Sequence, residues 1–184
     1  MNLGGPWRAM AMAAMLPVAL VVSACASPDR PSVQADVVPL PTPLQSWGPS
    51  TSATITELGR AVSAVGHRLD VAMAAYRTSE PQSLLQAPRV VLRADLADAD
   101  DGYVVIYDAS DAAEAERWAQ ELAAYLGSGF GQANFTPDTQ FSVAVRDDAV
   151  IFTSWSPGRS SDAGVAEAVF DGVASVGIPI EVVR

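Results

Sequence analysis

Lysine is absent from the 184-residue sequence, and cysteine and histidine occur once each, as Cys25 and His67. All 11 cations are therefore arginines, set against 21 carboxylates for a net charge of −10 at neutral pH. Binding to phosphate backbones or anionic headgroups depends on cations that displace counterions. An acidic chain of this kind excludes nucleic acid as a partner and cannot hold a membrane by its folded surface. A single cysteine allows no internal disulfide, so the fold must rest on its core alone. A lone histidine gives no His-rich metal site, and no Gly-x-Ser-x-Gly elbow supplies a nucleophile for a Ser-His-Asp arrangement. No catalytic residue, metal or cofactor is expected, and the chain is not expected to be an enzyme. Missing too is the run of about 20 apolar residues that a membrane span requires. The most apolar stretch, Ala9 to Val22, is shorter, follows Arg8 and is broken by Pro17.

That stretch has the form of a secretory signal, and it leads into Leu20-Val-Val-Ser-Ala-Cys25. These residues resemble the lipobox of bacterial lipoproteins. The resemblance implies cleavage before Cys25, diacylglycerol on its sulfur and a membrane-anchored chain facing the extracytoplasmic side. An uncleaved N-terminal anchor is the alternative, and it too tethers an exported domain. Cleavage would leave 160 residues and remove one arginine but no carboxylate, taking the net charge from −10 to −11. Residues 1–24 then form the signal peptide and 25–50 a lipidated cysteine with a tether. The tether carries Pro28, Pro31, Pro39, Pro41, Pro43 and Pro49 among small polar residues, a composition that favours extended chain. Trp47 and Val37-Val38 are its apolar exceptions, placed either in the tether or docked on the domain.

Residues 51–184 read as a single α+β domain. Thr54-Ile-Thr-Glu57 has the form of a capping box, and Ile55, Leu58, Val62 and Val65 recur at helical spacing, so a helix is expected over 54–65 before Gly66. Leu69, Val71 and Met73 alternate as a strand near 69–75, although the stripe also continues the helix. Ser79-Glu-Pro-Gln82 opens a short helix that ends at Pro88. Strands are expected over 90–96 and 103–107, the second apolar on both faces and so central. Ser110 or Asp111 with Glu114 caps a helix whose Ala115, Trp118, Ala119, Leu122 and Leu126 form one face. A loop covers Gly127–Asp138. The clearest hairpin follows: Phe141, Val143 and Val145, a reversal at Asp147-Asp148, and Val150 to Trp155. Val165, Val169, Val173 and Val176 stripe the last helix, and Ile178, Ile180 and Val182 finish as a strand; because Pro179 cannot donate to a ladder, that strand is expected either at an edge or to meet the sheet mainly by its second half. From Tyr103 onward the order strand, helix, strand, strand, helix, strand is that of a ferredoxin-like split βαβ unit. It predicts an antiparallel sheet with helices packed mainly on one face.

Three local patterns resemble chemistry and fail on spacing. Asp98-x-Asp-Asp-Gly102 has carboxylates like a calcium loop, but with Gly102 at the sixth position two ligand positions fall on Ala97 and Ala99, so a solvated turn is expected. Gly127-x-Gly-x-Gly131 follows a helix, whereas a phosphate loop opens one. His67 follows a helix-ending glycine, where an imidazole meets the helix C-terminus favourably. Phe130, Phe135, Trp155 and Arg159 lie in two loop segments that the split βαβ order brings to one end of the sheet, opposite Asp147-Asp148. They are either a candidate binding surface or, for the aromatics, core filling beneath the loops.

Tyr76-Arg77 with Glu80-Pro81, Ala87-Pro88-Arg89, Gly102 to Tyr107, Tyr125-Leu-Gly-Ser-Gly129, Phe135-Thr-Pro-Asp-Thr139 and Trp155-Ser-Pro-Gly158 resemble a pattern of small uncharacterised bacterial envelope lipoproteins. The likeness covers residues 54–184 and implies a compact domain in the cell envelope, with no activity attached. The leading expectation is a non-enzymatic binding or assembly module with an envelope protein partner. A small solute-binding lipoprotein and an envelope hydrolase are the alternatives.

Overall fold

A computed structural model of the chain describes residues 47–73, 76, 78–98 and 100–184. Cys25, Val37-Val38 and most of the expected tether lie outside them. Among the described residues four helices, α1 (Pro49–Ala64), α2 (Ala112–Gly127), α3 (Gly129–Gln132) and α4 (Ala163–Ala174), accompany six strands. The strands are β1 (Leu69–Val71), β2 (Arg89–Ala94), β3 (Tyr103–Asp108), β4 (Gln140–Arg146), β5 (Ala149–Trp155) and β6 (Ile178–Ile180). They form one sheet in the order β1-β2-β3-β5-β4-β6, antiparallel at every junction. The fold is α+β, as the sequence predicts.

The helices, however, cover both faces. Leu58 and Val62 of α1 and Val169 and Val173 of α4 pack with Val90, Leu92, Val104, Ile106 and Ile151. On the other face Ala115, Ala119, Leu122 and Leu126 of α2 pack with Val105, Tyr107, Val143, Val150 and Phe152. The strand order explains the departure from the expected single face. β3-α2-β4 straddles β5, and β5-α4-β6 straddles β4, so both crossovers move two places the same way across the sheet. Because β3 and β5 run in opposite directions, crossovers of one hand put their helices on opposite faces. In a ferredoxin-like sheet the last strand would return to lie beside β3. Here β2 fills that place, and β6 goes to the far edge beside β4, with Pro179 opposite Ala144.

Several element boundaries follow local chemistry. α2 starts as its sequence predicts: Asp111 accepts from the Glu114 amide at 2.8 Å, and the Glu114 carboxylate accepts from the Ser110 amide and hydroxyl. α1 does not. It begins at Pro49, suited to a first turn because its missing N–H would be unpaired there anyway. Thr54 is buried in mid-helix, its hydroxyl without a partner among the described residues. The start is fixed instead by Thr51, which donates to Asp108 of β3 at 2.5 Å, while Trp47 packs against the core. α1 ends at Gly66, whose φ of +88° lies in the left-handed region. The strand expected over 69–75 is described only over Leu69–Val71, and the segment after Pro81 forms a single 3-10 turn, Gln82–Leu84.

The glycine-rich stretch, expected as loop, contains α3, and close packing accounts for two of its three glycines. A Cβ on Gly127 would lie 2.0 Å from the Val183 carbonyl oxygen, and one on Gly131 would lie 2.1 Å from that of Tyr125. At Gly129 nothing lies within 4 Å. Backbone obstruction of this kind cannot be relieved by a rotamer change. Gly131→Ala is therefore expected to cost about 1–3 kcal/mol in denaturant unfolding. Gly129→Ala should be neutral or gain up to about 1 kcal/mol, since alanine is the better helix former.

Candidate functional site

Side chains on a strand alternate between faces, so Tyr107, Val105 and Tyr103 of β3 line up on the α2 side, as do Val150, Phe152 and Ser154 of β5. The cluster under α2 takes the first two of each row. The last of each, Tyr103 and Ser154, lie beyond it and floor a cavity of about 720 Å³. Tyr76 covers Tyr103 with its ring stacked at 4.1 Å and 5° between planes, and the Arg93 guanidinium, from the opposite position on β2, lies 5.7 Å from the Tyr103 centroid. Thr78 and Ser79 continue the wall on the Tyr76 side, and Asn134 and Phe135 contribute from the segment after α3. Asp100, Asp101, Ser156 and Arg159 complete the rim.

The walls are tied to one another. Asp138 accepts from the Gly158 amide at 2.6 Å, and Ser156 Oγ lies 2.7 Å from Thr139 Oγ1 and accepts from Thr136 Oγ1 at 3.0 Å. The 98–102 turn, expected to be solvated, is instead clamped onto the segment after β5. Asp98 accepts from both the amide and the hydroxyl of Ser161 at 2.8 Å. Asp101 is buried and accepts from Ser160 Oγ at 2.5 Å, and that oxygen accepts in turn from the Trp155 indole at 2.9 Å. Arg159 reaches Asp100 at 3.2 Å, with both side chains mostly exposed.

The Thr78–Glu80 wall is held from inside. Glu80, its side chain 1 % exposed, accepts from Arg89 at 2.6 Å and from the Tyr107 hydroxyl at 2.7 Å, with the Arg89 guanidinium over the Tyr107 ring. Burial, and then donation to this carboxylate, push the Tyr107 phenol far above its ordinary value, so it stays a donor. Ser79 Oγ lies 2.7 Å from the Tyr125 hydroxyl of α2. Burial also raises the Tyr76 phenol, which hydrogen-bonds with Thr78 and Ser154, and so keeps the cavity floor neutral.

Of the four residues expected from sequence as a binding surface, the structure brings two to this cavity. Phe135 lines it, edge-on to Phe141 at 4.8 Å, and Arg159 stands on its rim. Phe130 is 76 % exposed and rests edge-on against Tyr125, outside the cavity lining. Trp155 is buried on the opposite face of β5, against Phe170 of α4, and so fills core rather than offering a contact surface. The two loop segments do meet at one end of the sheet, through Asp138 and Gly158. Sequence reasoning missed Tyr76, Tyr103, Asn134 and Ser154. Only the pairing of β3 with β5 makes Tyr103 and Ser154 neighbours, and no local pattern signals it.

His67 stays at the end of α1, its Nδ1 3.1 Å from Asp95 and away from the cavity. The Arg68 amide, with His67, holds the Asp95 carboxyl below its usual range. Among the described residues no group of three or more His, Cys, Asp or Glu is placed to hold a metal ion, and no helix is long and apolar enough to cross a membrane. The chain enters the described fold at Trp47–Pro49, beside Asp108 at the far end of β3 from Tyr103. A six-residue strand, about 17–20 Å, separates that entry from the cavity. No family model, curated protein or solved structure matches the chain.

Two outcomes follow for stability. Removing the Glu80 carboxylate leaves the Arg89 charge, 17 % exposed, without this partner. Glu80→Ala is thus expected to lose roughly 3–5 kcal/mol in urea unfolding. The Ser161 amide and hydroxyl hold the Asp98 carboxyl below its usual range, and the Thr136 hydroxyl and Gly158 amide do the same for Asp138. A carboxyl whose folded value is depressed contributes stability that is complete above the unfolded value and is lost as pH falls through the folded one. The melting temperature should therefore fall below about pH 4. The double variant Asp98→Asn, Asp138→Asn should melt lower at pH 7 and fall less on acidification.

Proposed function

We propose that the chain is a bacterial envelope lipoprotein anchored through lipid on Cys25, and that its folded part is a non-enzymatic binding module whose ligand site is the Tyr103–Ser156 cavity. The observation that carries this is the cavity's construction at the end of the sheet away from the entry of the chain, with its walls already cross-tied. A volume of about 720 Å³ lies within the range that encloses small-molecule ligands. Walls fixed before binding lower the ordering cost of association. The described chain enters at the Asp108 end of β3, and the cavity floor is at its Tyr103 end.

Binding is favoured over hydrolysis by the surroundings of the cavity hydroxyls. Ser156 bonds to Thr136 and Thr139, and Ser79 to Tyr125, while the histidine that could serve as base pairs with Asp95 elsewhere. A serine nucleophile needs a base within hydrogen-bond reach.

Expression in a lipoprotein-processing host tests both halves of the proposal. Cys25→Ser is expected to move the chain out of the membrane fraction and to abolish the acyl mass on the N-terminal peptide, with thermal melting unchanged. Asn134→Trp, at an exposed lining position, is expected to keep membrane retention and melting but to lose retention on crosslinked envelope material. Membrane retention by the serine variant with no acyl mass on the wild type would refute the anchor. Undiminished envelope retention by the tryptophan variant would refute the cavity as binding site.

A further inference from the structure

We infer that the cavity takes a neutral, polyhydroxylated ligand, a short saccharide segment; this rests on the binding-module proposal above and names its ligand class. Six lining side chains carry hydroxyls: Tyr76, Thr78, Ser79, Tyr103, Ser154 and Ser156. Asn134 adds an amide, and among the described lining residues Phe135 is the only one whose side chain has no polar atom. Such a surface is a poor match for an acyl chain or a run of apolar side chains, which could not satisfy the lining donors and acceptors they desolvate.

The charged groups argue against an ionic ligand. Arg159 is paired with Asp100, and Asp101 is buried and bonded to Ser160. An anion would have to draw Arg159 from Asp100 while facing two carboxylates. A cation would have to displace Arg159 from Asp100, and the Tyr103 ring that could receive it is already stacked by Tyr76. What remains is a neutral array of hydroxyls and an amide, several already bonded within the fold, such as Ser79 to Tyr125, Ser156 to Thr139 and the Asn134 amide nitrogen to the Phe130 carbonyl, with acceptor oxygens to spare, beside the Tyr76 and Phe135 rings. A pyranose matches that array. Its equatorial hydroxyls donate and accept in the ring plane, and its C–H faces are apolar enough to lie on an aromatic side chain. The volume suits a di- or trisaccharide.

The test is isothermal titration calorimetry on the full lipidated chain in a zwitterionic detergent, with maltotriose and chitotriose as neutral probes and inorganic phosphate and tetralysine as charged ones. Sedimentation with purified insoluble wall glycan separates a polymer source from a free sugar. At least one neutral probe or the insoluble glycan is expected to bind, with an affinity that changes less than about 2-fold between 0.05 and 0.5 M NaCl. Tyr103→Phe and Asn134→Ala should each weaken binding roughly 3- to 10-fold, the loss of one neutral hydrogen bond. Gln120→Ala, on the exposed face of α2, should leave it unchanged. Binding of phosphate or tetralysine alone, weakened by salt, overturns the inference. So does the absence of binding to every neutral probe and to the glycan. If Asn134→Trp still loses envelope retention in those cases, the binding-module proposal stands with another ligand. If it does not, both fall.

Discussion

The pairing of β3 with β5 is the constraint on which the rest of the fold depends. It joins positions as far as 50 residues apart, sealed at one end by the Thr153 hydroxyl on the Tyr103 carbonyl. With β5 beside β3, β4 is forced outward and the α2 crossover must straddle β5. The β5-α4-β6 crossover then has one open direction, because β2 already occupies the other side of β3. The two-faced helix layout, the double burial of β3 and the edge position of β6 are consequences of that single adjacency. So is the cavity, whose floor is the last α2-side residue of each of these two strands.

This separates what could be read from the sequence from what could not. Periodicity gave the strands, the hairpin around Asp147-Asp148 and the stripes of α2 and α4, because those signals lie within a few residues of each other. The capping box of α2 was legible for the same reason. Thr54 and Glu57 carry the same pattern without acting as a cap. Thr51 finds Asp108, and Trp47 finds the core, so tertiary contacts extend α1 back by a turn and more. Trp155 shows the converse. Its loop-edge position suggested a contact residue, yet β5 alternation turns it to the α4 side while Ser154 faces the cavity. The cavity itself was not legible, since its described residues come from four separated segments. Only the meeting of the 127–138 and 155–159 segments could be foreseen, from the strand order.

Charge is distributed in the fold according to what each location can support. The deepest carboxylate among the described residues, Glu80, meets both a guanidinium and a phenol, and its burial is tolerable because two strong donors replace the water it loses. That arrangement fixes the chain between Thr78 and Pro81 to β2 and β3 at once, which in turn sets Ser79 against Tyr125 at the cavity wall. Asp98, Asp101 and Asp138 sit nearer the surface and accept mainly from amides and hydroxyls. In a protein without lysine, neutral donors are the partners available in number, and they bind carboxylates without adding mobile side chains that cost rotamer entropy on ordering.

The same economy of cations decides what the cavity can hold. Among its described rim residues Asp101 is bonded to Ser160 of the neighbouring loop, and the Arg159 guanidinium is paired with Asp100. Exposed ion pairs of this sort contribute little stability, so Arg159 is better understood as offsetting one of the two rim carboxylates than as bracing the rim. With the charges turned to internal use, selectivity is left to hydroxyls, one amide and aromatic surfaces held in fixed relation by the clamps beneath them. Such groups discriminate by geometry, because each unsatisfied partner in a desolvated site costs more than a satisfied one contributes. The site is therefore suited to recognising a rigid pattern of hydroxyls, and its rigidity derives from the β3–β5 pairing and the Glu80 network rather than from any residue that would touch the ligand.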